Sequence, residues 1–238
     1  MPRPPRLLLP LSFYHIMTRG NNKNKIFLSE ADYQYYLQLL AKYKAELPFD
    51  LYHYCLMPNH THFLIKTKSA CDFSTFMKKL NLSYFYHYKK QYGWTDHFWQ
   101  GRFKNQPVGK DDYFIQCGKY IELNPLRANL AEKLEDYPYS SYRHYVLGEE
   151  NDLVTEDIIY SGLGNTVDQR QVRYMKMVID DIVIRNYKGK AWGSNIQRYN
   201  EAKKIKYHLS WRSDIYESWG CLRTVPMYLR TVPMYMYM

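Results

Sequence analysis

The chain has 238 residues, of which 46% are hydrophobic and 24% are charged. This length fits one large domain or one medium domain with an extension, and it excludes a short disulfide-stapled peptide and a wholly disordered chain. Lysine and arginine number 33 against 23 aspartate and glutamate residues, which gives a net charge of +10. A protein this basic commonly binds a polyanion, so nucleic acid is the first partner to consider.

The sequence contains no signal that directs it to a membrane or an oxidising compartment. No run approaches the roughly 18 apolar residues of a membrane helix, and the start at residues 2–10 is too rich in proline for a secretory signal. The four cysteines form no CxxC pair, which excludes zinc-finger and thioredoxin motifs. We therefore expect isolated, buried thiols in a protein of the reducing cytoplasm.

Hydrophobic periodicity and turn signals predict the order strand, helix, strand, strand, helix, strand, helix. The strands cover residues 12–19, 49–56, 60–66 and 98–108, and the helices begin after Ser29, at Phe73 and at Asp111 or Asp112. Ser29 with Asp32 resembles a capping box, and Pro125 ends or kinks the third helix. The first six elements match an α+β, ferredoxin-like (split βαβ) pattern, in which an antiparallel sheet carries helices on one face and leaves the other free for a site.

The pattern changes after the first domain, which we assign to residues 1–140. Residues 141–220 predict a basic, mainly helical extension, either a second small domain or an appendage on the first. Near the end, residues 222–228 recur unchanged as residues 229–235. A duplication of this length is too short for a solenoid repeat, so we expect a disordered tail at 221–238.

The tripeptide His60-Thr61-His62 is the first candidate site. Side chains two residues apart on a strand point to the same face, so His60 and His62 would stand side by side and could bind a metal ion. An HxH pair in a sequence rich in tyrosine and histidine is more often incidental, and the tripeptide alone does not decide between the two interpretations. His53 on the neighbouring strand is better explained as a surface or packing histidine.

The second candidate is Tyr120 with Asn124, which the i, i+4 spacing places one turn apart on one helix face. The amide oxygen of Asn124 would complete a mixed nitrogen and oxygen ligand set with the two imidazoles, which suits Mg²⁺ or Mn²⁺. Tyr120 would then lie beside the metal as a nucleophile. Because the chain has 26 tyrosines, Tyr120 taken alone is better explained by packing.

Phosphoryl transfer is the chemistry that joins these residues. A divalent ion neutralises the oxygens of a phosphodiester and stabilises the charge of an attacking phenolate. Attack by tyrosine yields a covalent protein–DNA ester and a free 3′-hydroxyl, whereas hydrolysis by water would not need the tyrosine. Tyr120 is therefore the residue that distinguishes the two reactions.

Basic and aromatic residues alternate through residues 74–110. Basic groups follow phosphates and exposed aromatic rings stack on unpaired bases, although Tyr84 and Tyr88 are better explained as core. The turn after the first strand either contacts DNA or is only a turn. The candidate DNA-binding residues are Arg19, Asn21, Asn22, Lys78, Lys79, Lys89, Lys90, Arg102 and Lys104.

Four stretches together resemble the single-tyrosine HUH transposases, and most closely the REP-associated tyrosine transposases. They are YHIMTRGNNK (14–23), YCLMPNHTHFLIK (54–66), FWQGRFKNQPV (98–108) and YIELNPLRANL (120–130). Residues 136–145 and 153–164 also resemble the extended members, and the likeness covers roughly residues 2–200. The chain departs from the motif at Thr61, where the family usually has a hydrophobic residue, and in its duplicated tail.

The resemblance implies a Mg²⁺- or Mn²⁺-dependent endonuclease and strand transferase that acts on single-stranded DNA with a hairpin or inverted repeat. It implies that His60 and His62 bind the metal, that Asn124 occupies the place of the third ligand and that Tyr120 forms a 5′-phosphotyrosine link. The sequence does not decide between a monomer and a homodimer, and in a homodimer Tyr120 could act at the partner's metal site.

Two rival interpretations remain open. One is a protein of the same fold that binds structured nucleic acid without cutting it, for which binding would need neither metal nor the histidine pair. The other is an RNA-binding ferredoxin-like module, although the sequence lacks the aromatic-rich RNP signature of such modules.

Overall fold

The computed structural model describes residues 8–109 and 112–188. Its strands are β1 (Phe13–Arg19), β2 (Asp50–Met57), β3 (His60–Lys66) and β4 (Lys104–Pro107). Its helices are α1 (Glu30–Glu46), α2 (Ala70–Tyr92), α3 (Asp112–Glu122), α4 (Asn124–Arg127), α5 (Tyr142–Leu147), α6 (Ile158–Ser161) and α7 (Val167–Lys188). The predicted tail and the part of the predicted extension beyond residue 188 lie outside the described residues.

The four strands form one antiparallel sheet in the order β2-β3-β1-β4. This is the strand order of a split βαβ, ferredoxin-like fold, so the predicted fold class is confirmed. Strands β3 and β1 occupy the centre of the sheet, and a register shift between Leu51 and His53 interrupts the pairing of β2 with β3.

Helices α1 and α2 pack on one face of the sheet, and local sequence signals set their ends. The capping box at the start of α1 is present, because the Asp32 carboxylate accepts a hydrogen bond from the Ser29 backbone N–H at 2.9 Å. Helix α2 ends at Gly93, whose φ of 66° is a left-handed conformation that glycine adopts without strain. Both predicted helices are therefore present, although α2 begins at Ala70, before the predicted start at Phe73.

The core beneath α1 and α2 is mainly aromatic and aliphatic. Tyr84 and Tyr88 are buried in it, as predicted, and the Tyr84 hydroxyl donates to the carbonyl oxygen of Ile26 at 2.5 Å. The sheet contributes the alternate set of side chains, such as Ile16 and Phe63. This face is closed by close-packed apolar side chains.

The opposite face of the sheet is not left free, because α3 packs against β2 and β3 there. Phe114 and Ile121 of α3 join a second core with Leu64 and Tyr52 of the sheet. The apolar stripe of α3 requires a partner, and the second sheet face provides it. Any site on this face therefore lies beneath α3.

The predicted fourth strand is too long, because only Lys104–Pro107 pairs in the sheet. The preceding residues turn away at Gly101, whose φ is 92°. Phe98 and Phe103 are buried against α2 instead. Aromatic side chains such as these are typical of a strand, but here they pack a loop against helix α2.

The cysteines only partly follow the prediction of buried thiols, since Cys55 is buried and Cys117 half-buried but Cys71 is exposed near the start of α2. Within the described residues, no helix is long and apolar enough to cross a membrane. The chain divides into two compact units after Val178, and all elements named above up to that residue belong to the first unit. The boundary expected at residue 140 stays a prediction.

Candidate active site

The hairpin formed by β2 and β3 places His60 and His62 on the face covered by α3. In the sheet register His60 lies opposite Arg19, and His62 lies between Met17 and Cys55. The two imidazole rings are 4.7 Å apart between centroids. His62 is buried and His60 is half-buried at the end of the strand. The pairing expected from the HxH spacing is present.

A third imidazole, which sequence reasoning missed, belongs to the same cluster. His15 of β1 stacks on His62 with ring centroids 5.0 Å apart, and its Nε2 lies 2.8 Å from His62 Nδ1. One of these nitrogens donates its proton to the other, and His62 Nε2 is buried with no hydrogen-bond partner among the described residues. The available signal was strand order, because a ferredoxin-like sheet puts β1 beside β3.

All three imidazoles are held in their neutral form at neutral pH. Burial lowers the pKa of His15 to about 4. Burial, aided by the Arg19 guanidinium, lowers the pKa of His60 to about 4 and that of His62 well below its usual range, where the other two imidazoles add to the effect. Neutral imidazole carries the lone pair that binds a metal ion.

Tyr120 of α3 lies directly over this cluster. Its ring centroid is 5.8 Å from that of His62 and 5.9 Å from that of His15. On the solvent side, the guanidinium of Arg127 lies over the tyrosine ring at 5.1 Å. The fold thus brings together a phenol and a histidine pair that are separated by 58 residues in the chain (120 against 62).

Asn124 lies at the end of the tyrosine helix. Its Nδ2 donates to the carbonyl oxygens of Tyr120 and Ile121 at 3.0 and 3.2 Å. The Tyr120 carbonyl also accepts from Arg127 Nη1 at 3.4 Å, so two side chains bind the carbonyls at the end of α3. The bonds from Asn124 use the nitrogen of the side-chain amide and not its oxygen, which is the atom that would bind a metal ion. The role of Asn124 as a metal ligand stays a prediction.

The donor set around the histidine pair suits a divalent ion that takes most of its ligands as oxygen. Among the described residues, no three His, Cys, Asp or Glu side chains are grouped so that they could hold a metal. Two neutral imidazoles, with the unpartnered Nε2 of His62 between β3 and α3, nevertheless fit a cation that receives its other ligands as oxygen. Those oxygens would come from the Asn124 amide, water and a phosphate.

A buried carboxylate, also missed by sequence reasoning, lies two residues after Tyr120. Glu122 is fully buried and accepts hydrogen bonds from His53 Nδ1 at 2.8 Å, the Ser141 hydroxyl at 2.6 Å and the Tyr174 hydroxyl at 2.7 Å. His53 is therefore a buried packing residue and not a surface one. The sequence did contain a signal for this burial, because Glu122 is an acidic residue between two apolar ones, Ile121 and Leu123, at the end of a helix.

The turn after β1 is held close to the segment that follows α2. The Asn21 N–H donates to the Phe98 carbonyl and the Gln100 N–H donates to the Arg19 carbonyl, both at 2.8 Å. Asn22 in this turn is exposed and has a φ of 50°. This arrangement places the candidate DNA-binding residues of the turn at the same end of the sheet as His60.

The remaining basic candidates divide between the two faces of the sheet. Lys104 pairs with Met17 in the register, and it therefore shares the face that carries His62. Lys78 and Arg102 line a groove of about 490 Å³ between α2 and residues 99–103. Lys79 forms an ion pair with Glu46 at 2.8 Å. The four lysines of α2, which are Lys78, Lys79, Lys89 and Lys90, are exposed on a helix that packs on the opposite face from the histidine pair.

Comparison with solved structures supports the fold. The chain aligns with a REP-associated tyrosine transposase bound to a REP hairpin at a TM-score of 0.53 and 19% identity, covering 65% of this chain and 94% of that one. A protein of Deinococcus radiodurans R1, provisionally described as a transposase, aligns at a TM-score of 0.35 and 14% identity, covering 58% and 98% of the two chains, which is too low a score to support an argument. No curated protein matches this chain.

The first of these likenesses shows a shared fold. A likeness to a family comes from the sequence, because residues 10–124 match the model of the family described as "Transposase IS200 like". This segment runs from just before β1 to Asn124, and it includes the histidine pair and the tyrosine helix. Residues 10–124 are just under half of the chain, and through them the chain resembles the IS200-like transposases.

Proposed function

We propose that this protein cleaves and rejoins single-stranded DNA that contains a hairpin, through a covalent link between Tyr120 and a 5′-phosphate. The observation that carries the proposal is the position of the Tyr120 ring within 6 Å of two buried, neutral imidazoles, one of which leaves Nε2 without a partner. A phenol that served packing alone would not need such polar neighbours.

In the proposed reaction the phenolic oxygen of Tyr120 attacks phosphorus. A phosphorus–oxygen bond to the protein forms, and the bond between phosphorus and the 3′-oxygen breaks. The phenol loses its proton to water and the departing 3′-oxygen takes one from water, so the exchange of esters is balanced and reversible. The 3′-hydroxyl of a second strand completes transfer by the reverse of this step.

His60 and His62 are proposed to hold Mg²⁺ or Mn²⁺, with Asn124 as the third ligand. When bound, the ion would neutralise the phosphate oxygens and favour the ionised form of an attacking phenol. His62 presents Nε2 when its Nδ1 donates to His15, so His15 fixes the orientation of the ring and the tautomer. Asn59 Oδ1 lies 2.5 Å from His60 Nδ1 and orients the second ring in the same way.

Arg19 and Lys104 are proposed to bind the DNA backbone beside the site, since both lie on the face of the sheet that carries His62. The positive charge of the Arg19 guanidinium beside His60 disfavours binding of a metal ion alone. It favours binding of a metal ion together with a negatively charged phosphate. We propose that the other basic candidates, at the turn of Asn21 and Asn22, on α2 and at Arg102, contact DNA further from the cleavage point. Binding of a REP hairpin by the solved structure described above supports a hairpin as the partner.

The test is formation of a covalent adduct between the purified protein and a single-stranded hairpin oligonucleotide with Mn²⁺, observed on a denaturing gel. Tyr120→Phe should abolish the adduct and leave hairpin affinity unchanged. Tyr113→Phe is the matched control, because Tyr113 lies on the same helix, two turns earlier, and is 64% exposed. Adduct formation by Tyr120→Phe would refute the assignment of the nucleophile. Metal-independent hairpin binding without any adduct in the wild type would favour the non-catalytic alternative.

A further inference from the structure

We propose that Glu122, His53, Ser141 and Tyr174 form a brace that positions Tyr120 over the histidine pair of its own chain. The proposal rests on the proposed function and assigns a role to two residues beyond the family-matched segment, Ser141 and Tyr174. Glu122 and Tyr174 are positioning residues, since they act on the reaction through the helix that carries Tyr120.

Three parts of the fold meet at the Glu122 carboxylate. One oxygen accepts from His53 Nδ1 of β2 at 2.8 Å and from the Ser141 hydroxyl at 2.6 Å. The other oxygen accepts from the Tyr174 hydroxyl of α7 at 2.7 Å. The Ser141 hydroxyl also accepts from the Tyr54 N–H at 3.1 Å, and the Ser141 backbone N–H donates to the Tyr54 carbonyl at 3.0 Å, so Ser141 is itself fixed to β2. The sheet and the C-terminal part of the chain thereby hold the same helix.

The brace controls the rotation of α3 about its axis. Residues two apart on a helix point in directions that differ by about 200°. Tyr120 therefore faces the imidazoles while Glu122 faces His53, and rotation of the helix would displace both side chains together. Gly118 allows this close approach, because a Cβ at that position would lie 2.7 Å from His53 Nε2.

Tyr174 is held in place by other aromatic rings. Its ring lies 5.1 Å from that of Tyr145 and 5.7 Å from that of Tyr160, and the side chain is 3% exposed. The Tyr160 hydroxyl donates to the Tyr145 carbonyl at 2.8 Å and does not reach Glu122. Of these two phenolic hydroxyls, that of Tyr174 therefore binds the Glu122 carboxylate and that of Tyr160 binds a backbone carbonyl.

Stability alone does not explain a carboxylate at this place. Burying it removes its hydration, and apolar side chains of similar volume would pack as well or better. Three directed hydrogen bonds fix a geometry that apolar packing would leave adjustable. Displacement of a nucleophile by as little as one ångström costs a large factor in rate.

The experiment compares Tyr174→Phe with Tyr160→Phe, because each change removes one buried phenolic hydroxyl from the same aromatic cluster. Adduct formation is measured in single-turnover reactions at saturating hairpin DNA, with DNA affinity and the melting temperature measured in parallel. Tyr174→Phe should slow adduct formation by about tenfold or more. Its DNA affinity should remain that of the wild type, and Tyr160→Phe should retain the wild-type rate after a similar loss of melting temperature.

Glu122→Gln is a second variant that retains the shape of the side chain but replaces one acceptor oxygen with a donor. It should slow the reaction as Tyr174→Phe does and leave DNA affinity unchanged. Equal rates for Tyr174→Phe and Tyr160→Phe, with a wild-type rate for Glu122→Gln, would overturn the proposal.

Two readouts separate the brace from the proposed function. The first is hydrogen exchange of the α3 amides, which can be measured without any activity. Tyr174→Phe should lower the protection of these amides and Tyr160→Phe should not. Equal loss of protection in both variants would overturn the brace even if the wild type formed no adduct.

The second is mixing of Tyr120→Phe with a His60→Ala/His62→Ala variant, which tests whether the tyrosine acts within its own chain. No recovery of adduct is expected, and recovery would show that Tyr120 reaches a partner's site.

Discussion

The two faces of the sheet are built from different chemistry, although the same strands supply both. Beneath α1 and α2, side chains such as Phe63 and Phe76 are buried in aromatic and aliphatic surroundings. Beneath α3, alternate residues of the same strands supply the imidazoles of His15 and His62. Strand alternation separates the two sets, because successive side chains point to opposite faces, except at the register shift in β2, where Tyr52 and His53 both lie on the α3 face.

This difference indicates that one face of the sheet mainly stabilises the fold and that the other mainly carries the reactive groups. Apolar burial contributes free energy of folding roughly in proportion to the area removed from water, and the α1–α2 face has this character. Neutral, desolvated imidazoles and a buried carboxylate contribute less and require partners with defined geometry. Substitutions on the first face should therefore affect stability, and those on the second should affect the reaction.

The largest effect is expected for His62→Ala, on the α3 face. Loss of one of the two proposed imidazole ligands should lower the rate of adduct formation by a factor on the order of 10³ or more. The measurement is the single-turnover adduct assay over a range of Mn²⁺ concentrations. His97→Ala, at an exposed position, is the control and should retain the wild-type rate. A wild-type rate in His62→Ala at all Mn²⁺ concentrations would contradict the assigned ligand.

The next effect is on stability and concerns the α1–α2 face. Phe76→Ala should lower the free energy of unfolding by about 3–5 kcal/mol, because it leaves a cavity in a fully buried aromatic site. The measurement is urea denaturation, with adduct formation followed in parallel under conditions where the variant is folded. Tyr86→Ala on the same helix, where the side chain is 60% exposed, should change the free energy by only about 0.5 kcal/mol. A slow reaction in folded Phe76→Ala would contradict the separation of the two faces.

The sequence predicts the α1–α2 face well, because local patterns determine it. Strand β3 is found at the predicted residues His60–Lys66, and the capping box at Ser29 marks the start of α1 correctly. Periodicity and capping depend on neighbours a few residues apart, so a single sequence contains them. The predicted burial of Tyr84 follows from the same periodicity.

The α3 face is predicted less completely, because its contacts join distant parts of the chain. His15 and His62 are 47 residues apart, and His53 and Glu122 are 69 residues apart. These pairs follow from strand order and helix placement, which no local pattern specifies. The convergence of Tyr120 on the histidine pair was foreseen from motifs, whereas the partners that orient these residues were found only in the fold.

The smallest of the three effects is an acid sensitivity that originates on the α3 face. The pKa of His15 is about 4 in the folded protein against 6.5 for a free imidazole. Between these values the unfolded chain binds a proton that the folded chain does not, so the free energy of unfolding falls as the pH falls from 6.5 to 4. The shift corresponds to a loss on the order of 3 kcal/mol for His15, since one pKa unit is worth about 1.4 kcal/mol. His60, with a similar pKa but only half-buried, should contribute less.

Urea denaturation of the metal-free protein at several pH values measures this effect. His15→Gln should flatten the profile between pH 6.5 and 4, because it removes the buried group whose pKa is lowered. His97→Gln, at an exposed position, should leave the profile unchanged. If the wild type and His15→Gln lost stability in parallel over this range, the acid sensitivity would have to come from elsewhere in the fold, and the imidazole cluster would not be the element that distinguishes the two faces.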